Sequence, residues 1–313
     1  MRILHITDKF FPPLGSEGGA PQSLHSLVIW QRRCHYDSAV LSIRGEAVSF
    51  CRDSYDSVFV DNAETVFDDF APDVVHFHFS PAKLISLAER KLIPYVCHIR
   101  GIAAEGVRLR NPVFVSKTHA KNHGFSQYVY NGVALDDYPF SEGSDEYLIF
   151  LGKVKRSKKG VDTAIKVAKN VDMPLAIVGG RKVSVPSTWL PFQKLVRAYG
   201  VLQGKDKVEL LSRARALLFP IRWEEPFGLV LIEAMACGVP VIAFNRGAVP
   251  EIVKDGETGF VVDDFDQMCG AVKRIDEIDR AACRQHVIDH FSIEKTVQGV
   301  EHYYKKAIAG ETW

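Results

Sequence analysis

Short apolar runs alternate with amphipathic stretches along most of the chain. RILHIT (2–7), DSAVLSI (37–43), DVVHFHF (73–79), IPYVCHI (93–99) and PVFVS (112–116) form a first series. YLIFLG (147–152), PLAIVGG (174–180), ARALLFP (214–220) and VPVIAF (239–244) form a second. Runs this rich in Val, Ile and Leu read as strands buried on both faces, as in parallel sheets. Helical patterns between them, beginning with 21–33, predict α/β layers of the doubly wound kind. Two series call for two Rossmann-like parallel-sheet domains facing each other. The polar, turn-rich stretch NGVALDDYPFSEGSDE (131–146) lies between them. The expected domains are 1–139 and 140–313, with a last helix, within 291–310, that could cross back to the first.

A length of 313 residues suits two such domains. Net charge is +1, so no global basic field points to nucleic acid. The six cysteines, Cys34, Cys51, Cys97, Cys237, Cys269 and Cys283, include no CxxC pair. Buried, reduced thiols of a cytoplasmic protein are the expectation. The first apolar run is too short for a signal peptide, and none reaches the roughly 18 residues that span a bilayer. Tyr303, Tyr304, Lys305 and Lys306 could touch a membrane peripherally, although a plain helix surface explains them as well.

Ligands in open α/β sheets bind beyond the carboxyl ends of the strands. Three segments there carry chemistry. GSEGGAPQS (15–23) follows the first strand, and Gly15, Gly18 and Gly19 would let backbone amides approach an anion. Its spacing is not GxGxxG, which disfavours a nicotinamide-dependent oxidoreductase. A plain flexible loop is the bland alternative. KVKRSKKGVD (153–162) follows YLIFLG. Most of its basic residues read as solvated charges, but Lys153 and Lys159 flank the strand end and the next helix start and could hold a diphosphate. Glu225 precedes a helix expected from about Phe227 to Gly238, whose first amides, at Phe227, Gly228 and Leu229, could meet a phosphate or hydroxyl. Glu233 lies among Leu229, Val230, Ile232, Ala234, Met235 and Ala236. A carboxylate on so apolar a helix needs a partner, either a ligand hydroxyl or a protein cation.

EPFGLVLIEAMACGVPVIA resembles the E-x7-E signature of retaining glycosyltransferases of family 4, which have the GT-B fold. RGAVPEIVKDGETGFVV (246–262), YNGVALDDY (130–138) and LGKVKRSKKGVD extend the resemblance over nearly the whole chain. It implies that Glu225 touches the donor-sugar hydroxyls and Glu233 the ribose. Lys153 and Lys159 would neutralise the diphosphate, helped by backbone groups of Phe227, Gly228 and Leu229. Gly18 and Gly19 would approach the donor phosphate or the acceptor. His78 would stand near the transferred sugar, with His76 the likelier core histidine. The chain departs from the family pattern at three places. Lys153 replaces an arginine, Lys158 and Lys159 compete for one role, and Arg100 in CHIRG stands where many members have histidine.

The resemblance implies retaining transfer of a hexose from a UDP- or GDP-sugar to a saccharide, lipid-linked or small-molecule acceptor, as in polysaccharide biosynthesis. The mechanism would need neither a protein nucleophile nor a cofactor. No metal is expected, because the acidic clusters at 68–70 and 263–265 lie off the expected site. The alternatives are a non-catalytic nucleotide-sugar-binding subunit and an epimerase or hydrolase on the same fold.

Overall fold

The structure, a computed structural model, describes residues 1–13, 19–52, 58–101, 110–180 and 195–313. The chain divides into two compact units. The first comprises Met1–Gly132 and Ile293–Trp313, the second Val133–Ser292. The division thus falls at 132/133 rather than 139/140, and the last helix, Ile293–Ile308, counts with the first unit.

The first unit is built on a seven-stranded sheet. Its strands are β1 (Arg2–Thr7), β2 (Asp37–Arg44), β3 (Ala47–Cys51), β4 (Val58–Phe59), β5 (Val74–Phe77), β6 (Tyr95–Ile99) and β7 (Pro112–Phe114), in the order β4-β3-β2-β1-β5-β6-β7. The five strands expected from the apolar runs are present and parallel. The all-parallel expectation needs one correction. β3 and β4 extend the edge antiparallel to their neighbours. Val58 and Phe59 on this edge are exposed. One sheet face packs Leu4, Ile6, Val75, Phe77, Cys97 and Ile99 against the helices Ala63–Phe70 and Ala82–Arg90. The other packs Ile3, Val74, Val96 and Val113 under the helices Gly19–Arg33 and Ile293–Ile308. Tyr304 of the last helix is fully enclosed there, so it cannot reach a membrane surface, contrary to one sequence expectation.

The second unit has six parallel strands. They are β8 (Leu148–Leu151), β9 (Leu175–Val178), β10 (Val196–Gly200), β11 (Ala216–Phe219), β12 (Val241–Phe244) and β13 (Gly259–Val262), in the order β10-β9-β8-β11-β12-β13. This is the Rossmann order, in which the connections reverse direction between the first and fourth strands. That places the loops after β8 and β11 side by side. In the first unit the same reversal lies between β1 and β5. Each unit therefore offers a crevice at the carboxyl ends of two named strands. Among the described residues, no helix is long and apolar enough to cross a membrane. Five of the six cysteines are buried as expected, and Cys34 is exposed.

Candidate functional site

The site in the second unit grows from the two loops after β8 and β11. Gly160 ends the first loop at φ +76° and caps the helix Val161–Asn170. A Cβ there would collide with the Pro220 carbonyl of the second loop, so only glycine allows this approach. The Arg222 amide donates to the Lys158 carbonyl at 2.8 Å, and its guanidinium reaches Asp162 and Thr163. The loops are thus tied together beside Lys159.

Lys159 Nζ then lies 2.7 Å from Glu225 Oε2. Trp223 Nε1 donates to the same oxygen at 3.0 Å. Two donors on Oε2 fix the carboxylate and leave Oε1 outside this pair of bonds. Glu225 is only 9% exposed, so its charge relies on Lys159 rather than on water. Its backbone is fixed too. Ala248 N donates to the Glu225 carbonyl at 2.9 Å, and Gly247, at φ +59°, sits where a Cβ would strike the Glu225 main chain. The Trp223 ring also carries Lys158, whose Nζ is 3.5 Å from the ring centroid. Lys159, Lys158, Trp223 and Glu225 therefore form one cluster at the reversal point of the sheet.

The helix expected from Phe227 begins at Leu229, capped by Gly228 at φ +91°, and ends at Ala236. Phe227 lies outside it, buried edge-to-face against Phe291. Its amide therefore precedes the helix instead of opening it. Glu233 is buried within the helix, as the apolar surroundings predicted. Its partners are protein groups: Lys207 Nζ at 3.0 Å and the Tyr138 hydroxyl at 3.2 Å. Burial, then the Glu233 charge, pushes the Tyr138 phenol well above its ordinary value, which keeps it a donor. Lys153 is exposed and takes no part in these contacts. Gly19 opens the first helix of the other unit, and Gly18 lies outside the described residues.

His78 belongs to the first unit, just past β5, and it is not alone. His5 on β1 and His76 on β5 are register partners, and His98 on β6 and Arg100 just past its end follow. Residues two apart on neighbouring strands share a face, so all five side chains meet. Arg100 can only donate, and its Nε points at His78 Nδ1 at 3.4 Å. His78 must then carry its proton on Nε2, which faces His5 Nδ1 at 3.0 Å. His5 in turn donates from Nε2 to Gln31 Oε1 at 2.8 Å. Gln31 Nε2 donates to the Tyr304 hydroxyl at 3.2 Å, which donates to His76 Nδ1. His76 Nε2 then donates to His98 Nδ1 at 3.2 Å. Arg100 thus fixes the tautomers of His78 and His5. Beyond Gln31, the buried Tyr304 hydroxyl has only His76 Nδ1 as acceptor for its proton, and that direction ends the chain in a proton on His98 Nε2. Burial holds all four imidazoles neutral, His5 down to about 3 and His76, His78 and His98 well below 6.5.

His5, His76 and His78 bring ring nitrogens within 4.8 Å of one another, a set that could hold a metal ion. An ion between His5 and His78 would have to replace their mutual hydrogen bond and sit beside the Arg100 guanidinium. The donor set fits the hydrogen-bonded chain better than a cation.

Sequence reasoning missed Trp223, Tyr138, Lys207, His5 and His98, and with them the chain that joins them to His76 and His78. The available signal was parity. His5, then His76 and His78, then His98 and Arg100, all fall on the same alternation of three buried strands.

Residues 137–281 match the family model described as glycosyl transferases group 1. The chain is 32% identical over 180 residues to the N-acetyl-alpha-D-glucosaminyl L-malate synthase of Bacillus anthracis, covering 54% of this chain and 47% of that protein. It is 35% identical over 112 residues to the D-inositol 3-phosphate glycosyltransferase of Mycolicibacterium vanbaalenii, 34% of this chain and 25% of that one. The chain spans about half or less of the length of the curated relatives it matches. Among solved structures, AviGT4, a glycosyltransferase involved in avilamycin A biosynthesis, superposes with a TM-score of 0.80 at 19% identity over 99% of both chains. Anabaena HepE in complex with UDP and glucose superposes with a TM-score of 0.70 at 16% identity, over 98% of this chain and 100% of that one. The two α/β units therefore have the GT-B fold, and residues 137–281 are similar to the group 1 glycosyl transferases.

Proposed function

We propose that the protein is a retaining glycosyltransferase that moves a hexose from a UDP- or GDP-sugar to a hydroxyl acceptor, without a metal. The observation that carries this is the Lys159–Glu225 pair, oriented by Trp223, at the reversal point between β8 and β11 within the matched segment. The difficult step in such transfer is departure of the nucleoside diphosphate. A preorganised cation in a dry crevice stabilises that charge as it develops. Lys159 supplies it, with the exposed Lys153 as a second cation. Glu225 offers Oε1 to donor-sugar hydroxyls. Glu233, when its bonds to Tyr138 and Lys207 open, receives the ribose hydroxyls. Among the described residues of this unit, no second carboxylate joins the Lys159–Glu225 pair, which favours same-face departure and attack over a covalent intermediate. The leaving phosphate then accepts the acceptor proton.

The HepE structure names UDP and glucose, so UDP-glucose is the first donor to try. The relatives' names include L-malate and D-inositol 3-phosphate, both acids. Those names favour a small acidic acceptor over a polysaccharide end.

Incubation with UDP-glucose and GDP-mannose, followed by proton NMR of the anomeric centre, tests the reading. An axial donor should give an axial product. Glu225→Ala should lower kcat by about 100-fold or more, the usual cost of removing a group that acts in the transition state. Glu233→Ala should chiefly raise the donor KM. An inverted product, or full activity in both variants, contradicts the proposal. Tight donor binding with no transfer would favour the non-catalytic subunit.

A further inference from the structure

The histidine chain of the first unit leaves two donors without acceptors. His98 Nε2, which the tautomer argument shows to carry a proton, is closed off from solvent and has no hydrogen-bond partner among the described residues. Arg100 Nη2 is in the same state. Orphaned buried donors are rare and each calls for an explanation. The two residues stand at the carboxyl end of β6 on one face of the strand. They are about 7 Å apart along the chain.

Charge makes the same point independently. Arg100 Nη1 donates to Ser23 Oγ at 2.8 Å and Asn131 Oδ1 at 2.6 Å, and Nε donates to His78. None of these partners is anionic. Burial lowers the guanidinium only to about 10, so it stays cationic at neutral pH. The neighbouring imidazoles are neutral and offer no counter-charge. Buried charges in folded proteins are normally paired. Arg222, by contrast, is paired with Asp162, and Arg215 with Glu146 and Asp276. Arg100 and His78 are only half-buried as residues, so part of each side chain reaches solvent although the two orphaned nitrogens do not.

We propose that Arg100 Nη2 and His98 Nε2 form an anion pocket in the first unit that takes a carboxylate or phosphate group of a substrate. Each donor would give one charge-assisted hydrogen bond to an oxygen of such a group. Ser23 and Asn131 hold the guanidinium from behind, and the histidine chain from Gln31 to His98 holds the second donor in the right tautomer. The pocket stands on unit 1 alone. Which substrate carries the anion rests on the transferase reading above.

The test is thermal melting of the full chain in inorganic phosphate against chloride at matched ionic strength. Phosphate should raise the melting temperature by about 2–4 °C once it exceeds its dissociation constant several-fold. Arg100→Met should abolish that shift, and His98→Phe, which removes one donor without changing charge, should reduce it. Lys159→Ala should keep it. An undiminished phosphate shift in both Arg100→Met and His98→Phe overturns the pocket. The source is then read by comparing UDP-glucuronate with UDP-glucose. Tighter binding of UDP-glucuronate, erased by Arg100→Met, places the anion on the donor sugar. Equal binding of the two, with the phosphate shift retained, places it on the acceptor. A phosphate shift without binding of any nucleotide keeps the pocket and sinks the transferase reading.

Discussion

Lowering the pH from 7 to 5 is expected to unfold the first unit cooperatively. The cause is a cluster of four imidazoles, three of them sealed and that of His78 half-buried. His5, His76, His78 and His98 are neutral in the folded unit because burial penalises their charged forms, reinforced by Arg100 and by one another. The unfolded chain titrates near pH 6.5 and binds more protons below that value, so stability falls as pH falls. His5, held at about 3, costs about 2 kcal/mol by pH 5, and His76, His78 and His98 shift stability in the same direction, a large loss beside the roughly 5–15 kcal/mol of a typical domain. The loss starts near pH 6.5 and for His5 continues to about pH 3. His119, held at about 4 by burial, adds to it. Near-UV circular dichroism during acid titration, together with proton uptake, checks this. A midpoint between pH 5 and 6 with uptake of several protons is the expected result. A first unit still folded at pH 4 would mean that the histidines ionise inside the fold.

Lys159→Ala should cost both stability and function, and the two losses should separate. The Lys159 and Glu225 side chains are 18% and 11% exposed, so the pair is shielded but not sealed. Removing the cation leaves a buried carboxylate with only Trp223 Nε1 on Oε2. The stability cost should be about 2–4 kcal/mol, near that of breaking a buried pair. Turnover should fall about 100- to 1,000-fold, because the cation is needed most as the diphosphate leaves. Adding Glu225→Gln to Lys159→Ala removes the stranded charge. The double variant should recover most of the stability and none of the activity. Urea unfolding read beside initial rates distinguishes the cases. Recovery of both would make the pair structural only.

The sequence was most legible where each residue's local pattern agrees with its role. The parallel strands β1, β2, β5 to β9, β11 and β12 are continuous aliphatic runs, and all could be read directly. β10, VRAYG, interrupts its apolar positions with Arg197 and Tyr199, and β13, GFVV, hides inside a turn-rich motif. β3 and β4 were illegible because an edge hairpin needs few buried side chains, and β4 is only two residues long. Glu225 and Lys159 stood out as charges beside glycine at strand ends. The partner of Glu233 did not, since Lys207 and Tyr138 lie 26 and 95 residues away in sequence and nothing local couples them. The histidine chain failed for the same reason. Each histidine looks like a lone polar residue in an apolar strand until the register aligns β1, β5 and β6.

Calorimetric titration of the full chain with UDP, GDP, ADP and NAD tests the donor site most directly, in the wild type and in Lys159→Ala. The account predicts that one nucleoside diphosphate binds the wild type and that its affinity falls at least tenfold in the variant, a difference of about 1.4 kcal/mol or more. Binding of NAD alone, or of a diphosphate with equal affinity for both proteins, would contradict it.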